Sequence, residues 1–172
     1  PFAPLGKGDH RLEAFDRLGV IGVHLSERSE GRVRVRGGAL RLSYKLRADD
    51  AAALRFGIAR AADVHFAAGA LEVFPQVGRV SVLRPGEQGE RVARARMRPG
   101  ELRLEGFHPM GTARIGADPR RCVVAPSGET HDLPGLFIAD ASLFPTSLGV
   151  NPMVTVMACA RHIATALAAT LR

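Results

Sequence analysis

Arg32-Val33-Arg34-Val35-Arg36-Gly37-Gly38-Ala39-Leu40-Arg41-Leu42-Ser43-Tyr44-Lys45 is the stretch on which the fold class turns. Val33 and Val35 alternate with arginines. Leu40, Leu42 and Tyr44 alternate with Arg41, Ser43 and Lys45. This is the period of two of a half-exposed strand, met twice. Gly37-Gly38 lies between the two runs, so the stretch reads as an antiparallel β-hairpin whose arginines form its solvated face. The other reading of those arginines is a nucleic-acid patch built from Arg32, Arg34, Arg36, Arg94, Arg96 and Arg98. The composition speaks against it: there is no Trp and one Tyr, whereas single-strand binders stack bases on aromatic rings.

Working outward, Asp49-Asp50 opens a helix that runs to about Ala68, with acidic residues at the positive end of the helix dipole. Leu54, Ile58, Ala62 and Phe66 recur every four residues as its buried stripe, and Gly69 ends it. The expected arrangement is α+β, an antiparallel sheet packed by this helix. On the N-terminal side the residues suggest a short helix near Arg11–Leu18 and a β-rich run from Val20 to Leu25. On the C-terminal side, Val73-Phe74 and Leu102–Leu104 read as short strands. Between them lies a loop rich in Pro and Gly, with one short helix near 87–96.

The chain has 172 residues, with 46% hydrophobic and 24% charged. It is globular in composition and long enough for a real core. The formal charge of +7 comes from 24 basic and 17 acidic groups. It is uneven: residues 107–172 hold only 5 basic and 4 acidic groups. Cys122 and Cys159 form no CxxC pair, and no histidine pair has metal-ligand spacing, so no metal site is expected. No GxSxG elbow of a serine hydrolase occurs. The apolar run from Met153 to Leu171 is interrupted by Arg161 and His162, which argues against a membrane span. No signal segment is read, and the expectation is a cytoplasmic protein that binds neither membrane nor nucleic acid.

The near-neutral tail holds the candidate chemistry. His108 lies in a loop that follows a short strand. Val123-Val124 is a short strand, followed by a turn at Pro126-Ser127-Gly128. Leu136-Phe137-Ile138-Ala139 is a continuous apolar run, read as a strand buried on both faces and ending at Asp140-Ala141-Ser142. Asn151-Pro152 then opens the last helix, with Asn as N-cap and Pro at the first helical position. Residues 153–160 carry no charge, so this half of the helix is expected to be buried. A buried helix start leaves N–H groups that need an acceptor: a carbonyl, water or an anionic ligand.

Three elements in order carry a resemblance: His108-Pro109-Met110-Gly111-Thr112-Ala113-Arg114; Gly135-Leu136-Phe137-Ile138-Ala139-Asp140-Ala141-Ser142 with Phe144-Pro145; and Asn151-Pro152 before a helix rich in Ala and Met. Together they resemble the C-terminal segment of the glucose–methanol–choline (GMC) family of flavin-dependent alcohol oxidoreductases. The likeness is detailed over residues 107–172 and looser over 18–74.

The resemblance implies an enzyme that oxidises an alcohol by passing hydride to N5 of the flavin of FAD. His108 takes the position of the base, and Asn151 faces it across the substrate oxygen. Asp140 and Ala141 lie against the ribityl–pyrophosphate region of FAD, and Pro152 and Met153 touch the pyrimidine end of the flavin. Residues 1–135 correspond mostly to the substrate domain, with the catalytic His loop at 107–114. Residues 136–172 correspond to the terminal strand, loop and helix of the FAD-binding domain. The family's N-terminal Rossmann unit carries GxGxxG, and no GxGxxG occurs here. The expected partner is therefore the N-terminal FAD-binding portion of the same protein, and the segment by itself is expected to be inactive. The alternative is a non-catalytic remnant or module that requires a partner chain. The chemistry of the residues agrees with the enzyme reading. Imidazole titrates near neutral pH and can accept a hydroxyl proton, and an amide can donate to a developing alkoxide.

Overall fold

The computed structural model describes residues 15–97, 102 and 104–171. The hairpin forms as read. Strand β1 (Gly31–Arg36) pairs antiparallel with β2 (Ala39–Tyr44), and Val33 stands opposite Leu42, Val35 opposite Leu40 and Arg34 opposite Arg41. That register puts the apolar side chains on one face and the arginines on the other. These two strands make the sheet.

The chain divides into two compact units. One comprises the described residues of Pro1–Leu25 together with Ala48–Glu105. The other comprises Ser26–Arg47 and Gly106–Arg172.

In the first unit, α1 (Ala48–Ala67) starts on Asp49 and Asp50 and buries Leu54, Ala59 and Ala62. Ile58 and Phe66 of the expected stripe pack half-buried on the same core. The helix ends with paired bonds from the Gly69 N–H to the Phe66 carbonyl and from the Ala70 N–H to the His65 carbonyl, at 3.0 and 2.9 Å. These satisfy two of the carbonyls that a helix end leaves free. A short helix α2 (Gln88–Ala93) contributes Val92, and Val77 and Leu83, like Val92 without solvent access, complete the core. Val73 is a single bridge to Leu83, and Leu102 a single bridge to Val77. Arg98 and Arg103 lie outside the described residues. Of the helix read near Arg11–Leu18, the described part is one short turn, Phe15–Arg17. Val20–Leu25 forms no strand, and Val20 and Ile21 are exposed.

The second unit holds the hairpin, the loops from 106 to 150 and α3 (Met153–Thr170). Its core is Ala113, Val124, Leu143 and Ile163, with Ile115, Phe137 and Ile138 packed around it. Three expectations are corrected here. The hairpin is exposed and not packed: each of its residues is exposed, Val35 at 74% and Leu42 at 75%, and α1 buries its stripe inside its own unit. Residues 136–139 are not a strand buried on both faces. Phe137 makes one bridge, to Glu129, and only Phe137 and Ile138 are half-buried. The first half of α3 is not buried: Met153 and Val154 are 68% and 69% exposed. The apolar patterns are genuine, but the surfaces that would cover them are not among the described residues. No helix of these residues is long and apolar enough to cross a membrane.

Candidate functional site

The loop that carries His108 is exposed from Leu104 to Pro109 and becomes anchored from Gly111 onward. Gly111 has φ +82°, and a Cβ there would stand 3.3 Å from the Phe144 carbonyl oxygen. Glycine thus allows the chain both to reverse and to lie close against Phe144-Pro145. Two backbone bonds secure this approach. The Ala113 N–H donates to the Ser142 carbonyl (3.1 Å) and the Ile115 N–H to the Leu143 carbonyl (3.0 Å). The His108 loop and the Asp140–Ser142 segment, some thirty residues apart in sequence, are therefore laced together directly. Beneath them the buried side chains of Ala113 and Leu143 share one core.

Asp140 ends its strand-like segment as a cap. Its backbone is extended, and its carboxylate accepts the Ser142 N–H at 2.8 Å at the head of the short turn Ala141–Leu143. The hydrogen bonds from the Ser142 hydroxyl and then from its N–H hold the Asp140 carboxyl below its ordinary value, against a smaller opposing effect of burial. Ala141 is half-buried beside it.

α3 begins one residue later than the sequence suggests. Pro152 is the N-cap, with φ −84° and ψ −2°, and no side chain caps the first turn. Asn151 is exposed and forms no hydrogen bond among the described residues, so it is not the helix cap. The reason is geometric. A capping side chain needs an extended backbone that turns its oxygen back on the first N–H groups, whereas here the residue at the boundary is a buried proline that carries no N–H. The Pro152 carbonyl already accepts from the Val156 N–H (2.8 Å). What remains at this end is a set of N–H groups at the positive pole of an 18-residue helix. Met153 stands exposed there, and Asn151, two residues earlier, is exposed as well. Further along, Ile163 seats α3 against Gly128, whose φ is +90° and where any Cβ would run into the Ile163 side chain.

His108 and Asn151 are exposed members of one compact unit. Two hollows lie in the same unit. One, of about 290 Å³, is lined by Arg114, Ile115, Asp118, Arg121, Cys122 and Pro145 among others. The other, of about 530 Å³, follows the C-terminal half of α3 past Arg161 and Ala164. Neither His108 nor Asn151 lines these two. His131 is structural: its Nε2 lies 2.9 Å from the Gly116 carbonyl and its N–H donates to the Val123 carbonyl. Cys122 and Cys159 are free, half-buried thiols. Among the described residues no group of His, Cys, Asp and Glu is arranged to hold a metal ion. Two members of this assembly carried no assigned role at the level of sequence. Ser142 and Arg114 stand inside the quoted motifs, and Arg114 reaches Glu30 at 3.3 Å, a residue that no motif marks.

Residues 27–160 match the sequence profile of a family described as GMC oxidoreductase. The chain is 33% identical over 162 residues to a GMC-type oxidoreductase of Mycobacterium tuberculosis, covering 92% of this chain and 26% of that protein. It is 34% identical over 158 residues to a long-chain-alcohol oxidase of Arabidopsis thaliana, covering 87% and 21% respectively. A third relative, 6'''-hydroxyparomomycin C oxidase of Streptomyces lividus, is 39% identical over 64 residues, 37% of this chain and 12% of that protein. The chain thus spans about a quarter of the length of the first two.

Proposed function

The chain belongs to the GMC oxidoreductase family and corresponds to its C-terminal segment, and from that premise we propose that it forms part of an FAD-dependent enzyme oxidising the CH–OH group of an alcohol. In this reading residues 1–135 belong mostly to the substrate domain and residues 136–172 to the FAD-binding domain. The remainder of the FAD-binding domain is supplied by an N-terminal portion of the same protein.

The donor set at the start of α3 fits the electron-rich edge of a flavin. The first-turn N–H groups have no side-chain cap, the helix end carries a positive partial charge, and Asn151 and Met153 are exposed beside it. Asp140, held ionised by Ser142, offers an acceptor to hydroxyl groups of the same cofactor, and Ala141 and Pro152 flank these two contacts. When bound, FAD would supply the hydride acceptor.

The work of this chain's own residues is proton handling and charge placement. His108 accepts the hydroxyl proton of the alcohol at an imidazole nitrogen as the C–H bond is broken. The Asn151 amide donates to the same oxygen while negative charge builds on it. Substrate orientation falls to the loop that presents His108.

The observation that carries this reading is the lacing of the His108 loop to the Asp140–Ser142 segment by the Ala113 and Ile115 amides. It brings the loop of the candidate base beside the segment of the candidate cofactor contact. A long aliphatic alcohol is the favoured substrate class. The long-chain-alcohol oxidase aligns along 87% of this chain, including the part assigned to the substrate domain, whereas the hydroxyparomomycin oxidase aligns over 37%.

The test is anaerobic stopped-flow reduction of the holoenzyme. His108→Ala is expected to slow flavin reduction by about 10²–10⁴-fold while FAD stays bound, because the imidazole meets charge that develops in the transition state and not the cofactor. Reduction of His108→Ala at the parental rate would refute the assignment.

A further inference from the structure

We propose that Arg114 is a positioning residue, which through Glu30 fixes the loop that presents His108. The proposal rests on the reading of His108 as the base.

Arg114 is held at three points. Its carbonyl accepts two N–H groups, from Val123 at 2.9 Å and Val124 at 3.2 Å. Its guanidinium passes Gly111, with Nε 3.7 Å from where a Cβ would stand. Its Nη2 ends 3.3 Å from Glu30 Oε1, across a sequence separation of 84 residues. Glu30 immediately precedes β1, so its carboxylate is tied to the hairpin. Neither partner forms a second ion pair among the described residues.

Leu104–Pro109, which includes His108, is exposed, and on its C-terminal side it runs into residues anchored by the Ala113 and Ile115 backbone bonds. Gly111 is three residues after His108, and the Arg114 side chain closes over it. A guanidinium drawn away from Gly111 would leave this stretch held by the Ala113 and Ile115 backbone bonds alone. The pair is exposed on both sides, 43% for Arg114 and 77% for Glu30, and such pairs contribute little to global stability. Its reach across the chain is therefore better explained by loop register than by holding the fold together. A base displaced by a fraction of an ångström loses rate without losing substrate affinity.

The experiment uses the FAD-loaded full-length enzyme and measures flavin reduction by alcohol anaerobically, with the limiting rate and the half-saturating alcohol concentration read separately. Arg114→Ala and Glu30→Gln are each expected to lower the limiting rate about three- to tenfold, with half-saturation and FAD retention unchanged. Arg114→Lys should recover part of the loss. The exchange Glu30→Arg with Arg114→Glu should recover more than either of its single charge changes alone.

If both single variants reduce at the parental rate, the tether is refuted. If the charge exchange and Arg114→Lys both fail to recover any rate while the singles are slow, the ion pair is not the cause and the proposal is equally overturned. The two failures differ in His108→Ala. A failure of the tether alone leaves that variant slow, whereas a failure of the underlying assignment shows as His108→Ala reducing at the parental rate.

Discussion

At the residue scale, the proposed mechanism separates residues expected to touch the substrate from residues that hold the fold. Asn151 is the clearest case. Since Pro152 and not Asn151 bounds α3, Asn151→Ala should leave the melting temperature of the holoenzyme within about a degree while slowing flavin reduction. The usual loss of roughly 1 kcal/mol for removing a capping side chain is not expected. Asn151→Asp should slow reduction further, because it sets a negative charge where negative charge develops. Thermal melts and stopped-flow rates on the two variants check both statements.

Asp140 gives a pH prediction. Its carboxyl is held low by the Ser142 hydroxyl and N–H. A group depressed in the folded state contributes stability above its unfolded value, and that contribution is lost as pH falls through the folded value. The stabilisation should therefore be complete at neutral pH and fade only below the ordinary carboxyl range. Ser142→Ala should move the Asp140 titration upward, toward that range, in a carboxyl-detected NMR titration. An unchanged midpoint would show that Ser142 does not set it. His108 and Asp140 were legible as candidates because they sit in ordered motifs. Glu30 was not, since nothing in its local sequence says that its carboxylate meets an arginine 84 positions away.

At the element scale, the hairpin and α1 were readable because their signals are local: alternation about Gly37-Gly38, and a four-residue stripe closed by Gly69. The run 136–139 misled for the opposite reason. Continuous apolarity suits a strand buried on both faces, but burial needs neighbours, and Phe137 finds one bridge partner, at Glu129. The helix boundary at 151–153 slipped by one residue because Asn-Pro satisfies a capping rule in sequence that the backbone dihedrals at Pro152 do not realise.

A contact sensitive to substitution lies between the turn at Gly128 and α3. Gly128→Ala demands a left-handed backbone from alanine and drives its Cβ into Ile163. The expected loss is about 2 kcal/mol or more, visible as a lower denaturant midpoint. Gly135→Ala serves as the control. It shares a positive φ of 81° but meets nothing within 4 Å, so its cost should be the smaller. Equal losses at the two sites would mean that Ile163 does not pack on the turn.

At the scale of the whole molecule, the exposed apolar faces of the hairpin and of the start of α3 are the main departure from an ordinary globular domain. Uncovered pleats and a helix apolar nearly all round call for further protein surface, in accord with relatives about four times as long. The 172-residue chain purified by itself is expected to leave gel filtration colourless. Its sequence holds no GxGxxG turn for the pyrophosphate. Retention of a stoichiometric yellow cofactor would contradict this.

The division into two units also bears on how the chain reaches its native state. Connectivity passes from the first unit into the second at Ser26, back at Ala48, and again into the second at Gly106. Each unit joins two separated stretches, but residues 48–105 part the hairpin of the second from its loops, a longer gap than residues 26–47, which part the two stretches of the first. Contacts of such sequence separation form late, because closing a long loop costs entropy before any contact rewards it. The motif-bearing half of the molecule is thus the slow half to assemble, with its hairpin bared to aggregation during the wait. Crowded translation would tax it first, and its folded yield would depend on how promptly those open faces meet their cover.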